Sequence, residues 1–377
     1  MELISVTLNG STLIPTTPEH KGYIFEDPTQ RLIVAVLVCL VTLIGLPGNT
    51  LVVLAVIFTK KLQNITNVFV VNLALADLLT CLVLPFQAVS LVTGAWPLPQ
   101  MVCITVAALL WTGLGTSVVN LALIAFIRYH IITRPPQHNK KIFGKIVIAI
   151  LVILSWILPL CLVFFPPLVK LGSIGYSERY KMCAADGTHD YSDVYTIISV
   201  MVVELPCLVV IAVCYFKIYR YVKRTSRDVL RCARNQSRPP NPLVRPSTRS
   251  GRGGKQKGPQ TALEVAVFRR RVKVAKNLFL VVCSYVICIL PFGILCVIPL
   301  PSYPAIPWAM VLLMMSSCIN PIIYGLRHPQ FQDVFLPLLN CSWKREPERE
   351  LLISRSNPRR VARYYRRDSM LSINEQK

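Results

Sequence analysis

Seven uncharged or nearly uncharged runs, each about 20 residues or longer, divide this sequence and decide what it can become. They lie near 32–58, 68–93, 101–127, 144–168, 194–219, 274–300 and 304–326. A helix rises about 1.5 Å per residue, so each run matches a hydrocarbon layer roughly 30 Å thick. Every backbone donor and acceptor in that layer must be satisfied within the protein, and runs of this length do so as helices. With 53% hydrophobic and only 16% charged residues among 377, a soluble fold could not hide the apolar surface. The expected fold is an all-α membrane protein, a seven-helix transmembrane bundle.

Basic residues set the orientation. Lys60 and Lys61 follow the first span, Arg134, Lys140, Lys141 and Lys145 lie between the third and fourth, and 220–276 is strongly basic. These segments are expected in the cytoplasm by the positive-inside rule. Segments 94–100 and 301–307 carry no charge, and the N-terminal segment holds Glu2, Glu19, Glu26 and Asp27, so the N-terminus is expected outside. No cleavable signal peptide is expected, because Met1-Glu2-Leu3 lacks a basic start and the first apolar run begins beyond residue 30. The net charge of +23 is explained by anionic membrane lipid on the cytoplasmic side, and nucleic acid is set aside as a partner. Asn9 begins an acceptor triplet for glycosylation on the outer side, whereas Asn64 and Asn235 match the same pattern in the cytoplasm.

The chain is thus read as an outer tail over 1–31, a membrane domain over 32–340 and a cytoplasmic tail over 341–377. Within the middle part, 225–262 is rich in Arg, Pro, Gly and Ser and is expected to be a disordered cytoplasmic loop. Phe331, Val334, Phe335, Leu338 and Leu339 follow helical spacing, predicting a short amphipathic eighth helix on the membrane face that Pro337 ends. Cys341 then stands where a juxtamembrane cysteine is palmitoylated, or remains a free thiol. Ser354, Ser356, Ser369 and Ser372 lie among arginines, either as kinase targets or as a solvated tail held near anionic lipid.

Polar residues within the spans carry the chemistry. An Asn320-Pro321 pair in a membrane helix is costly, since Pro321 removes a backbone donor and the Asn320 amide needs a partner where water is absent. Asp77 is the one acid deep in the first four spans, with Asn49, Ser117, Ser316, Ser317 and Asn320 as candidate partners. Such hard oxygen ligands around a carboxylate suit a small monovalent cation, Na⁺, or form a polar packing cluster without an ion. No other cofactor or metal is expected. Glu204, two residues before Pro206, is read either as a ligand contact or as a carboxyl protonated against a neighbouring hydroxyl. All five histidines lie in tails, loops or span ends, so a buried Ser-His dyad or histidine-ligated zinc has no imidazole, and an enzyme is not expected. Of thirteen cysteines, Cys103 and Cys183 stand clearly on the oxidising side, where a disulfide between them is expected.

Taken together, the residues resemble the rhodopsin-like, or class A, G-protein-coupled receptors over essentially 32–340. The resemblance rests on Gly48-Asn49, Leu73-Ala74-Leu75-Ala76-Asp77, Cys103, Ser117, Arg128-Tyr129, Trp156, Pro206, Cys288, Pro291 and Asn320-Pro321-Ile322-Ile323-Tyr324, in order across seven spans. It implies a plasma-membrane, multi-pass switch that binds an extracellular ligand and activates heterotrimeric G proteins, with arrestin and receptor kinases as further partners. By that resemblance Arg128 and Tyr129 meet the G protein, Tyr215, Tyr285 and Tyr324 move on activation, Pro291 supplies the span-six bend, and Asp77 with Ser117, Ser316, Ser317 and Asn320 holds Na⁺.

Three departures stand out. The family's acid before the arginine is Ile127, and Arg271 stands near the base of span six where many relatives carry an acid, so raised basal signalling is expected. The aromatic switch residue of span six is replaced within Tyr285-Val286-Ile287-Cys288-Ile289-Leu290-Pro291. Tyr215 lies nine residues after Pro206, one farther than usual, predicting a bulge or a lost contact there.

The expected ligand pocket comprises Trp96, Leu110, Trp111, Leu114, Ile198, Val202, Phe292, Cys296, Met310 and Met314, a lining that suits a hydrophobic or weakly polar ligand. Span three carries no acid over Ala107-Ala108-Leu109-Leu110-Trp111, which argues against an amine ligand, and span seven has no lysine for retinal. Trp96 with Cys103, and the sequence at the end of span five, are similar to melatonin receptors and their invertebrate orphan relatives. The alternatives are an atypical receptor that binds ligand without G-protein signalling, and a membrane transporter.

Overall fold

Asp27 starts the first helix because its carboxylate accepts from the backbone N–H of Thr29 at 2.9 Å and of Gln30 at 3.4 Å, while Pro28 occupies the first helical position. The Thr29 N–H holds the Asp27 carboxyl below the usual carboxylate range. In the computed structural model, which describes residues 24–185, 191–236, 262–297, 305–327, 331–332 and 334–335, seven helices are long and apolar enough to cross a membrane. They begin with α1 (Pro28–Phe58), α2 (Ile65–Thr93) and α3 (Gln100–Thr133). A short α4 (Pro136–Ile142) leads to α5 (Lys145–Leu168), and a hairpin of β1 (Ile174–Ser177) and β2 (Met182–Ala185) follows. The fifth span is α6 (Ser192–Ser199), a π-helical turn (Val200–Glu204) and α7 (Leu205–Gln236); α8 (Ala262–Val297) and α9 (Ala305–Arg327) complete the bundle.

The spans are amphipathic in reverse of a soluble bundle, with small and polar residues inside and large apolar ones outside. Leu43, Ile146 and Ile287 point outward, while Asn49, Asp77, Asn120 and Ser317 are fully buried. α3 is the central helix and packs on α2, α5, α7 and α8; α9 packs on α1, α2 and α8. Close approach of the helices depends on glycine, as two positions illustrate. A Cβ on Gly48 would stand 2.7 Å from the Pro321 ring, and one on Gly115 would stand 2.8 Å from Pro159, so α1 meets α9 and α3 meets α5 nearly backbone to side chain. Asn72 ties α2 to α3 and α5 by donating to Asn120 and Ser155 and accepting from the Trp156 indole N–H at 2.8 Å.

The hairpin closes one end of the bundle. Its strands pair antiparallel with Tyr176 opposite Cys183, and Cys183 is bridged to Cys103 at the start of α3 with Cα atoms 5.3 Å apart. Gln87 of α2 holds the same residue twice, donating to the Cys183 carbonyl at 2.7 Å and accepting its N–H at 2.8 Å. Ser90 donates to the Lys181 carbonyl, Tyr176 donates to that of Gly94, and the Phe25 N–H donates to that of Arg179. Burial pushes the Tyr176 phenol up to about 12. Gly94 ends α2 with φ +69°, a left-handed conformation in which glycine alone is unstrained.

Several expectations change here. The helices outrun the apolar runs, so α3 continues to Thr133 and α7 to Gln236; the part of 225–262 up to Gln236 is helical rather than disordered. Arg and Lys are good helix formers, and a charged stretch can extend a membrane helix into water without breaking its hydrogen bonds. Residues 28–31, assigned to the outer tail, form the first turn of α1. α7 is regular between Pro206 and Tyr215, so the expected bulge is absent there; the irregular turn of this span, the π-turn, precedes the proline. Chain contacts divide the protein at Gln332, with Asp333–Lys377 as a second unit in which Val334 and Phe335 are helical. Asn9, Cys341, the tail serines, Pro337, Leu338 and Leu339 lie outside the described residues, as does the side chain of Arg271.

Candidate functional site

Along α3 the polar features stand at three levels. Trp111 lines a cleft near the hairpin, Ser117 reaches a buried carboxylate, and Arg128 stands near the opposite end. At about 1.5 Å per residue the first two levels are roughly 9 Å apart and the last two roughly 16 Å.

The cleft has a volume of about 50 Å³ and lies between α3, α5, the fifth span and α8, with Ala185 of β2 at its edge. Trp111, Leu114 and Phe292 line it as expected, and the Trp111 and Phe292 rings stand 5.6 Å apart. The structure adds Gly115, Pro159, Tyr195, Val203 and Glu204 to its wall. It does not bring the other expected residues there. Trp96 sits in the α2–α3 loop, its indole donating to the Pro99 carbonyl. Val202 points outward at 49% exposure, because the π-turn rotates it toward the membrane and turns Val203 and Glu204 inward. Leu110, Met310 and Met314 are buried in helix packing, and Ile198 and Cys296 are half-buried, all away from the cleft wall. Gly115 was legible from helical spacing, lying four residues after Trp111; the contributions of Pro159 and Tyr195 depend on tertiary contact.

A larger groove of about 380 Å³ lies near the start of α2, between Val56, Gln63, Asn64, Ile65, Val68 and Ile148. It contains no ionisable group.

The middle level is compact. Asp77 is fully buried, its Oδ1 accepting from Ser117 Oγ at 3.0 Å and its Oδ2 from Asn320 Nδ2 at 2.7 Å. Among the described residues no cation pairs with it. Ser317, beside the same carboxylate, has a buried hydroxyl without a hydrogen bond, and Asn49 Oδ1 is likewise unpartnered. The Asn49 amide donates to the carbonyls of Gly45 and Ser317, locking α1 to α9. Ser316 departs from its expected place among the ligands, since its hydroxyl donates to the Leu313 carbonyl of its own helix. A carboxylate accepts about four hydrogen bonds, so Asp77 retains free lone pairs beside an unpartnered hydroxyl. The donor set therefore fits a small hard cation such as Na⁺.

At the far level Ile127 is fully buried and Arg128 nearly so. Arg128 has no ion pair or hydrogen bond among the described residues, and its Nε is buried without a partner. Its guanidinium is within electrostatic reach of Tyr215 and Tyr324, whose buried hydroxyls are also unpartnered. Tyr215 thus stands near Arg128 without a hydrogen bond to it. Tyr215 stacks obliquely on Phe279 at 5.1 Å, Tyr324 on Phe331 at 5.4 Å, and the Lys217 ammonium stands 5.6 Å over the Tyr129 ring. Tyr285 is buried in α8, one turn and a half before Pro291.

Comparison with known proteins gives one consistent answer. Residues 48–324 match the model of the 7 transmembrane receptor (rhodopsin family). The G-protein coupled receptor moody of Drosophila melanogaster is 29% identical over 84% of this chain and 52% of its own length. The D(1A) dopamine receptor of Didelphis virginiana is 29% identical over 86% of the chain and 77% of its own. The human alpha-1D adrenergic receptor is 30% identical over 82% and 56%. The chain thus spans about half the length of the first of these. Squid rhodopsin shares the fold, with a TM-score of 0.67, 19% identity, and coverage of 86% of this chain and 90% of that one.

Proposed function

Because the chain belongs to the rhodopsin family of seven-transmembrane receptors, we propose that it is a plasma-membrane receptor that binds an extracellular ligand and activates heterotrimeric G proteins. The hairpin and the N-terminus then face outside, and the ends of α3, α7 and α8 near Arg128 face the cytoplasm, as the basic loops require. The observation that carries this reading is the buried Asp77–Asn320 hydrogen bond, which joins α2 to α9 at the level between the cleft and Arg128.

The cleft is the ligand site, and its aromatic and aliphatic wall suits a ligand with a mainly apolar body. Relatives named for dopamine and adrenergic signalling are similar to this chain, but α3 offers no carboxylate toward the cleft for an amine. Ligand binding biases the bundle between two arrangements. Na⁺, where bound, supplies a positive charge that compensates Asp77; Asp77, Ser117, Ser317 and Asn320 would hold it. Pro291 leaves the carbonyl one turn before it without an i−4 donor, which weakens α8 locally and lets it bend. Arg128 is poised to meet the G protein, and its release breaks no ion pair among the described residues. Arrestin and receptor kinases follow as partners on the same face, acting on the serine-containing tail.

The reading is tested with nucleotide exchange on a co-reconstituted G protein. Arg128→Ala, at matched surface expression, is expected to bring exchange down to the receptor-free background. An atypical receptor shows no exchange in either form, and a transporter shows solute flux in liposomes instead. A second expectation follows from the missing acid. Ile127→Asp restores a carboxylate beside Arg128 and is expected to lower ligand-free exchange severalfold; unchanged basal exchange at matched expression would rule out raised basal signalling through this arginine.

A further inference from the structure

Glu204 is the one carboxyl group among the described residues of the cleft wall, and no hydrogen bond or ion pair satisfies it among the described residues. Glu204 is half-buried and lines the cleft, brought inward by the π-turn that ends at this residue. A lone carboxyl in a dry membrane interior is costly, whether ionised or left without a partner, and such residues mark binding sites. Three other features share the cavity. Trp111 and Phe292 present aromatic surface to it, 5.6 Å apart. The Trp111 indole N–H is buried with no acceptor. The remaining wall is mostly apolar, with Leu114, Val163 and Val203, and Tyr195 and Thr196 add hydroxyl groups to it.

An uncharged hydrocarbon would leave both Glu204 and the indole N–H unmet. An anionic group would meet the carboxylate with like charge. A protonated amine answers the carboxylate directly and gains cation–π attraction from the two rings. A water occupies about 10–15 Å³ by the same measure, so a cleft of about 50 Å³ admits a head group of a few heavy atoms rather than a whole ligand. The body would extend along Trp111 and Phe292 toward Ala185 at the hairpin edge.

From this geometry we propose that the cleft binds the ammonium head of a small amphipathic amine, paired with Glu204 and flanked by Trp111 and Phe292. The proposal deepens the receptor reading, resting only on the cleft being its ligand site. It replaces the α3 carboxylate, whose absence argued against an amine, with an acid from the fifth span.

The test uses the full chain in lipid nanodiscs, with phenethylamine and tryptamine each compared with the alcohol of the same skeleton. Thermal unfolding and Trp fluorescence report binding up to about 10 mM, since probes this small bind at millimolar affinity. Each amine is expected to bind at least about tenfold more tightly than its alcohol, and Glu204→Gln is expected to remove that preference. Equal binding of amine and alcohol, binding of neither, or a preference that survives Glu204→Gln overturns the proposal. Should Glu204→Gln not fold, the amine–alcohol comparison on the unmodified chain decides. Basal exchange on G protein is measured in the same preparation. Amine preference without exchange removes G-protein coupling and leaves this inference standing, whereas exchange without amine preference does the opposite.

Discussion

Replacing Cys183 with serine is expected to cost about 2–5 kcal/mol of bundle stability and to remove most of the protein from the cell surface. The bridge to Cys103 closes a long loop, with a sequence separation of 80. Breaking it therefore returns a large chain entropy to the unfolded ensemble. The loss spreads because Cys183 is held from two sides. Gln87 is fully buried and binds both backbone groups of Cys183, so a displaced hairpin leaves four amide atoms in search of partners. Cys103→Ser should cost the same amount, and the double variant no more than either single one, since the three share one bond. Surface labelling and thermal unfolding in detergent check this. Additive losses would mean that the two cysteines stabilise the fold separately.

Asp77→Leu is the second substitution with a large expected effect, about 2–6 kcal/mol, from leaving the Ser117 hydroxyl and the Asn320 amide without an acceptor at about 1–3 kcal/mol each. Asp77→Asn keeps one acceptor and should cost about 1 kcal/mol. The two variants separate the structural role from the ionic one. If the donor set holds Na⁺, the unmodified protein should unfold at a higher temperature in NaCl than in KCl of equal strength. At a Na⁺ concentration about ten times its dissociation constant the gain is about 1.4 kcal/mol. Asp77→Asn should unfold at the same temperature in both salts. A sodium effect that persists in Asp77→Asn would move the ion elsewhere.

The inner half of this molecule was legible from composition and motif because its partners are chemically obliged to meet. Asp77, Ser117 and Asn320 are separated by 40 and 243 positions, yet each is too polar to face lipid, and the bundle interior is the one place left for all three. The pairing of Cys103 with Cys183 was legible because both lie at span ends or in a loop, away from the cysteines within the spans. Ser316 and Ser317 show where that logic ends. Both are serines in one polar turn, but Ser316 satisfies itself on the Leu313 carbonyl and Ser317 alone is left beside the carboxylate.

The cleft was legible only on α3 and α8. Trp111, Leu114 and Phe292 line it from regular helices, which keep their phase at about 100° per residue. On the fifth span the π-turn over Val200–Glu204 breaks that phase. It turns Val202 to the membrane and Glu204 into the cavity, and no apolar pattern announces it, since Met201, Val202 and Val203 are interchangeable by hydropathy. Glu204 itself was legible as an anomaly; what it faces was not.

By itself, the amino-acid sequence determined a seven-helix membrane bundle and the polar residues that must lie inside. Those follow from the cost of exposing charge and backbone to hydrocarbon, which each segment pays locally. Tertiary structure alone decided which residues share the cleft, which serine is left free beside Asp77, and that Arg128 stands without a partner among the described residues. These depend on helix phase and on contact between distant elements, which no single segment encodes.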